Sequence, residues 1–105
     1  MDSRYSVEAA DSQTVMIRGD LTMYTLRKDW WEAHAGDVLP SLDKEQTITV
    51  DLTDLKRSDS AGLAWLINLV RDTKANGVSI VFSHIPNELV NLAKISDASA
   101  LLPLK

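Results

Sequence analysis

Four short segments of this chain alternate apolar and polar side chains with a period of two. They cover residues 4–8, 14–18, 47–52 and 78–83. Because successive side chains of a strand point to opposite faces, the alternation predicts strands with one buried face and one solvent-exposed face. A parallel sheet covered on both faces would show continuous apolar runs instead. We therefore expect a small sheet with helices on one face only.

Three predicted helices separate or follow these strands. They cover residues 25–34, with Thr25 as a possible cap, residues 60–75, and a segment that Pro86 opens. The order β-β-α-β-α-β-α predicts an α/β fold with a mixed sheet of about four strands. The expected buried stripes are Leu26, Trp30 and Ala33 in the first helix, Leu63, Leu66, Ile67 and Val70 in the second, and Leu89, Leu92 and Ala93 in the third.

Length and composition exclude several classes of protein. A chain of 105 residues, with 45% apolar and 25% charged residues, suits one globular domain spanning residues 1–105. The net charge of −4, without a basic cluster, argues against a nucleic-acid partner. There is no cysteine, and His34 and His84 lie on different elements without metal-ligand spacing. No signal peptide or membrane span is visible. We expect a cytoplasmic protein without metal or cofactor.

The pair Asp59-Ser60 marks the start of the second helix. Either side chain can cap the helix, and capping alone is one sufficient explanation. The other explanation is functional, because a hydroxyl at the rim of an α/β sheet stands where sites commonly form. Phosphorylation of Ser60 would place negative charge at the positive end of the helix dipole, beside Asp59. No residue pattern supplies a catalytic base for Ser60, so we do not expect an enzyme.

An apolar stripe runs along the side of the second helix opposite the predicted core face. At 100° per residue, Trp65 and Leu69 point away from Leu63 and Val70, with Ala61 and Asn68 flanking them. The stripe is either part of a wide core, with Trp65 folded over a neighbouring helix, or an exposed interaction surface. Ser60 begins the same helix, so a contact surface there would be continuous with the serine.

The pair Trp30-Trp31 and the tail 101–104 complete the apolar features. Adjacent helix positions cannot both face the core, so at least one of the two indole rings should lie near the surface. The second ring either lies flat over neighbouring side chains or contacts a partner. The apolar tail docks either on its own core or on a partner.

These residues resemble the STAS-domain family. The match rests on Asp59-Ser60-Ala61-Gly62-Leu63 after a half-polar strand and on Gly19-Asp20-Leu21 closing the second strand. The resemblance implies the fold of bacterial anti-sigma-factor antagonists. In those antagonists a partner kinase phosphorylates the hydroxyl that corresponds to Ser60.

Within that family, the runs 62–64, 91–94 and 102–103 resemble the small STAS subunit of the Mla phospholipid-transport ABC system. The absence of a visible strand and helix after Ile95 favours that subunit over an anti-sigma-factor antagonist. The resemblance implies a non-catalytic accessory subunit, peripheral to the inner membrane, that binds the ATPase subunit and supports outer-membrane lipid asymmetry. The alternative is an anti-sigma-factor antagonist switched at Ser60. The predicted partner-binding residues are Asp59, Ser60, Ala61, Trp65, Asn68 and Leu69.

Overall fold

The computed structural model describes residues 4–104. Its elements, in chain order, are β1 (Tyr5–Asp11), β2 (Thr14–Leu21), α1 (Trp30–Val38), a 3-10 turn (Leu39–Ser41), β3 (Ile48–Asp51), β4 (Leu55–Ser58), α2 (Ser60–Ala75), β5 (Ile80–Ser83), α3 (Asn87–Ile95) and a second 3-10 turn (Ser99–Leu101).

The five strands form one mixed sheet. Strand β1 pairs antiparallel with β2, and the order continues in parallel through β3 to β5. Strand β2 has two parallel partners along its length. Its first residues pair with β3, and its last residues, Gly19 to Leu21, pair with β4. The prediction of a mixed α/β sheet is confirmed, but the sheet has five strands instead of about four.

Strand β4 is the element that the sequence pattern missed. Its residues 55–58 include the exposed pair Lys56 and Arg57, which resemble a charged loop. Among the described residues β4 pairs only with β2, near the end of β2 and beyond the residues of β2 that pair with β3. Charged side chains are common on such edge strands because they oppose pairing with other chains. The hydrophobic alternation used for the other strands is therefore absent here.

The predicted one-sided burial of the sheet is confirmed. The inward side chains Val15, Ile17, Val50 and Phe82 are buried in a single apolar core that also contains residues of all three helices. The opposite face is half-buried or exposed along the same strands. On it, Arg18 bridges the carboxylates of Glu8 and Asp54.

Helix α1 begins five residues later than predicted. Thr25 does not cap it, since its hydroxyl donates to the carbonyl of Asp20 at 2.7 Å and closes a turn over residues 22–25. The helix begins at Trp30, which is buried, while Trp31 is half-buried against the core. Placing one ring in the core and the other near the surface matches the expectation for this pair.

The buried face of α2 is rotated from the predicted one. Its centre carries Gly62, Leu66, Leu69 and Thr73, all buried, whereas Ile67 and Val70 are only half-buried. Trp65 and Leu69 are 4% and 1% exposed. The expectation that they form an exposed stripe is therefore wrong. The apolar count ignored a glycine and a threonine, and these two residues lie on the core face.

The tail after Ile95 docks on its own core. Ala98 and Leu102 are buried, and the carbonyl of Pro103 accepts a hydrogen bond from the N–H of Phe82 at 2.8 Å. Leu104 forms a parallel bridge with Phe82 at the outer edge of β5. As predicted, no further strand or α-helix follows Ile95 within residues 4–104, but a 3-10 turn and this bridge complete the edge of the sheet.

Candidate functional site

The first turn of α2 is held by the carboxylate of Asp59. Its Oδ1 atom accepts hydrogen bonds from the backbone N–H groups of Ala61 and Gly62, at 2.9 and 3.1 Å. These are the donors that a helix start leaves without partners, and an aspartate is among the residues best suited to accept from them. Asp59 is therefore the cap, and Ser60 is the first residue of the helix.

Glycine at position 62 lets α2 approach β2 closely. A Cβ atom at this position would lie 2.2 Å from the carbonyl oxygen of Leu21 and 3.0 Å from the Leu21 side chain. Any side chain would therefore force the helix away from the strand. This contact fixes the distance between the end of β2 and the start of α2, and so the position of Asp59 and Ser60.

The Ser60 side chain is exposed at this helix start. Within residues 4–104 its hydroxyl makes no hydrogen bond. The neighbouring Ser58, in contrast, donates to Oε1 of Glu88 at 3.0 Å and joins β4 to α3. The structure thus separates the two serines, because one has a structural partner and the other presents its hydroxyl to solvent.

The turn 22–25 presents two apolar side chains beside the helix start. Met23 is 62% exposed and Tyr24 is 78% exposed. The backbone N–H of Met23 donates to Oδ2 of Asp59 at 3.1 Å, so one carboxylate holds both the turn and the helix. The sequence analysis missed these residues. The available signal was an adjacent Met and Tyr between two threonines, directly after a strand.

The other predicted contact residues differ in how far they are buried and in their hydrogen-bond partners. Ala61 is half-buried, and Asn68 donates to Oδ1 of Asp29 at 3.2 Å, which ties α2 to the start of α1. Trp65 points inward, and its indole N–H donates to the carbonyl of Lys28 at 2.9 Å. The structure therefore leaves Ser60 at the surface and turns Trp65 and Leu69 into the core.

An aromatic cluster lies under this part of α2. The Tyr5 hydroxyl and Nε2 of His34 share a hydrogen bond of 2.9 Å, and the rings of Tyr5, His34 and Trp65 meet edge to face at centroid distances of 5.4 to 6.3 Å. Burial lowers the pKa of His34, partly offset by the negative charge of Asp37, and burial raises the pKa of Tyr5. Both shifts favour the neutral forms that this hydrogen bond uses.

His84 lies apart from this cluster. Its Nδ1 is 3.3 Å from Oδ1 of Asp51, on the exposed side of the sheet. Between residues 4 and 104, no three His, Cys, Asp or Glu side chains are close enough together to hold a metal ion. No helix in the same range is both long and apolar enough to cross a membrane.

Two comparisons with known proteins agree with this geometry. A family model described as "Mlab, STAS domain" matches residues 6–103. The solved structure of the anti-sigma factor antagonist SpoIIAA in its unphosphorylated form is similar to this chain with a TM-score of 0.51 and 16% sequence identity. The similarity covers 93% of this chain and 84% of that one, and at this identity it shows the shared fold. The chain belongs to the STAS-domain family.

Proposed function

We propose that this protein is a non-catalytic accessory subunit of an Mla-type phospholipid-transport ABC transporter. It binds the cytoplasmic ATPase subunit, supports its assembly and activity, and so serves the maintenance of outer-membrane lipid asymmetry. It resides in the cytoplasm and reaches the inner membrane through the transporter complex. The description of the matching family model supports the Mla assignment.

A docking surface at the start of α2 carries the proposal. The key observation is that one carboxylate, Asp59, fixes the exposed pair Met23 and Tyr24 next to the exposed Ser60. Exposed aromatic and methionine side chains are enriched at protein interfaces, where they fill pockets of the partner. We define the docking surface by Met23, Tyr24, Ser60, Ala61, Ala64 and Asn68.

The outer face of α2 suits close contact with a partner. Ser60 and Ala64 lie one turn apart and both are exposed, so their small side chains let a partner surface approach the helix. Arg71 continues this exposed line toward the end of the helix. A charge at Ser60 would be buried on docking and would lack a counter-ion, which is costly.

Co-purification with the ATPase subunit of the same organism's transporter tests the proposal. We expect the wild-type chain to co-purify and the Ser60→Asp variant to be lost, while Ser60→Ala is retained. An aspartate at the first helical position suits the helix dipole, so the variant should fold. Unchanged co-purification of Ser60→Asp would contradict docking at this surface.

The exposed Ser60 hydroxyl also supports a second candidate, an anti-sigma-factor antagonist that a partner kinase phosphorylates at Ser60. A phosphate there would sit at the positive end of α2, next to the carboxylate of Asp59. Mass spectrometry of the protein isolated from stressed cells separates the two candidates. A phosphate on Ser60 supports the antagonist, and its consistent absence together with ATPase binding supports the transporter subunit.

A further inference from the structure

An open cleft lies between the end of β2, the turn 22–25 and strand β4. Its volume is about 1020 Å³. Tyr24 belongs both to its wall and to the docking surface, so the two are continuous. Exposed cations line the cleft, and they include Arg27, which follows the turn, and Lys56 and Arg57 of β4.

A shift of register in β4 brings two of these cations together. Leu55 pairs with Gly19 of β2 and Arg57 pairs with Asp20, so Lys56 is an extra residue without a counterpart, as in a β-bulge. Successive side chains of a regular strand point to opposite faces of the sheet. With the extra residue, Lys56 and Arg57 both line the same cleft. The backbone of β4 therefore places two adjacent positive charges side by side.

The chain supplies no carboxylate for these cations. Within residues 4–104, Arg27, Lys56 and Arg57 form neither an ion pair nor a side-chain hydrogen bond. Arg18 and Arg71, in contrast, each contact two carboxylates. Charge that only protects an edge strand from other chains would be needed on β4 alone. The addition of Arg27 from another segment points instead to a ligand of opposite charge.

The carboxylates in the wall of the cleft are engaged or buried. Asp59 accepts hydrogen bonds from three backbone N–H groups, and Glu88 accepts one from Ser58. Asp20 is only 7% exposed. The solvent-facing part of the cleft is therefore mainly cationic, although the whole chain has a net charge of −4. A cleft lined by charges of one sign concentrates their field and attracts the opposite charge.

We propose that this cleft receives an acidic segment of the docked partner, whose Asp and Glu side chains pair with Arg27, Lys56 and Arg57. A protein segment suits the site better than an anionic membrane, because a flat lipid surface does not enter a cleft and the net charge of −4 opposes its approach. Continuity through Tyr24 lets one partner fill both the cleft and the docking surface. This inference rests on the proposed function, since it names the chemistry of the partner that docks there.

A peptide titration of the isotope-labelled full chain tests the cleft by nuclear magnetic resonance. The probe is a blocked tetraglutamate peptide, and its control is the matching tetraglutamine peptide. We expect the amide signals of Arg27, Lys56 and Arg57 to shift with tetraglutamate and to stay in place with tetraglutamine, because the cleft recognises charge. Equal or larger shifts at the exposed Lys44 and Lys94, which lie outside the cleft, would overturn the inference.

Two double variants with the same change of net charge separate the cleft from general electrostatics. Lys56→Gln with Arg57→Gln should weaken binding of the ATPase by about tenfold and make it less dependent on salt, because two charge pairs are lost. Its Tm should equal or exceed the wild-type value, since the variant removes repulsion between neighbouring cations. Lys44→Gln with Lys94→Gln should change the affinity by less than about twofold. Equal losses in the two double variants would overturn the inference.

Carbodiimide cross-linking of the assembled complex identifies the contact directly. The reagent joins a lysine amine to a neighbouring carboxylate as an amide, and it takes up the water that is lost as a urea. We expect mass spectrometry to show Lys56 joined to an Asp or Glu of the ATPase subunit. Cross-links from Lys44 or Lys94 without any from Lys56 would overturn the inference.

Phosphatidylglycerol vesicles provide the arm for a membrane surface. We expect the wild-type chain to stay in solution when the vesicles are sedimented. Vesicle binding that the Lys56→Gln, Arg57→Gln variant loses, with its ATPase affinity unchanged, would overturn the inference in favour of lipid.

ATPase binding keeps the two proposals apart. Equal ATPase affinity of the wild type and the Lys56→Gln, Arg57→Gln variant refutes the inference alone. Tetraglutamate binding in the cleft of a wild-type chain that fails to retain the ATPase refutes the proposed function alone.

Discussion

The Oδ2 atom of Asp59 accepts a hydrogen bond from the backbone N–H of Met23 at 3.1 Å, while its Oδ1 atom caps α2. One side chain therefore joins two segments that are 36 residues apart in the sequence. This bond decides where the exposed Met23 and Tyr24 lie relative to Ser60. The proposed docking surface is therefore positioned by a capping residue that the partner itself does not have to contact.

Replacing Asp59 with alanine should destabilise the protein by about 0.5–2 kcal/mol, because the first turn of α2 loses its cap. Urea unfolding measures this change. Amide hydrogen exchange at Met23 should also become faster, since its N–H loses its acceptor. Asp59→Asn keeps an oxygen acceptor and should cost less. A free energy of unfolding for Asp59→Ala equal to that of the wild type would contradict the capping role.

Replacing each of the two helical glycines with alanine should change the stability of the protein in opposite directions. Gly62→Ala should destabilise by about 1–3 kcal/mol or more, because the added methyl group overlaps the Leu21 carbonyl. Gly36→Ala in α1 meets no atom within 4 Å and should stabilise by about 0.5–1 kcal/mol. Thermal unfolding of the two variants checks both signs. Equal effects would show that α2 and β2 are not in close contact.

Replacing each of the two buried tryptophans with phenylalanine should lower the free energy of unfolding by different amounts. The indole N–H of Trp65 donates to the carbonyl of Lys28, whereas the buried Nε1 of Trp30 has no partner within residues 4–104. Trp65→Phe should therefore cost about 0.5–1.5 kcal/mol more than Trp30→Phe. Denaturant titrations measure the difference. A larger loss for Trp30→Phe would contradict the assignment of the hydrogen bond.

Stability should fall as the pH drops below about 6.5, the ordinary pKa of a histidine. Burial lowers the pKa of His34 in the folded state, so the unfolded chain binds its proton first as the pH falls. The unfolded state then holds more protons than the native state, and the free energy of unfolding decreases. Thermal scans between about pH 7.5 and about pH 5.5, one unit on each side of that pKa, should show this decrease. A His34→Gln variant should lack it, and an unchanged slope in the variant would assign the effect elsewhere.

Much of this fold follows from side-chain alternation along the strands. The period of two locates β1, β2, β3 and β5 and shows that one face is covered, because burial imposes the pattern directly. Alternation does not predict strand β4, since Lys56 and Arg57 occupy an edge strand that depends on backbone pairing with β2. Backbone pairing leaves no periodic signal in so short a segment.

The candidate site is harder to derive from sequence. Asp59 and Ser60 are recognisable at a helix start, but which of them caps depends on backbone geometry at the helix entrance. The face of α2 was predicted from apolar residues alone, so the buried Gly62 and Thr73 were not counted and Trp65 was placed outside. The turn 22–25 joins the site through a single long-range hydrogen bond, and no local pattern encodes such a bond.

The affinity of the purified chain for the transporter ATPase tests the central claim most directly. Isothermal titration should show binding for the wild type and a loss of about tenfold or more for both Ser60→Asp and Tyr24→Ala, since each removes or charges an anchor of the docking surface. Ile95→Ala is the matched control, because this side chain is 82% exposed at the other end of α3. Wild-type affinity in the control, with losses in the other two, is the predicted result. Equal affinity of all four proteins would contradict the docking surface.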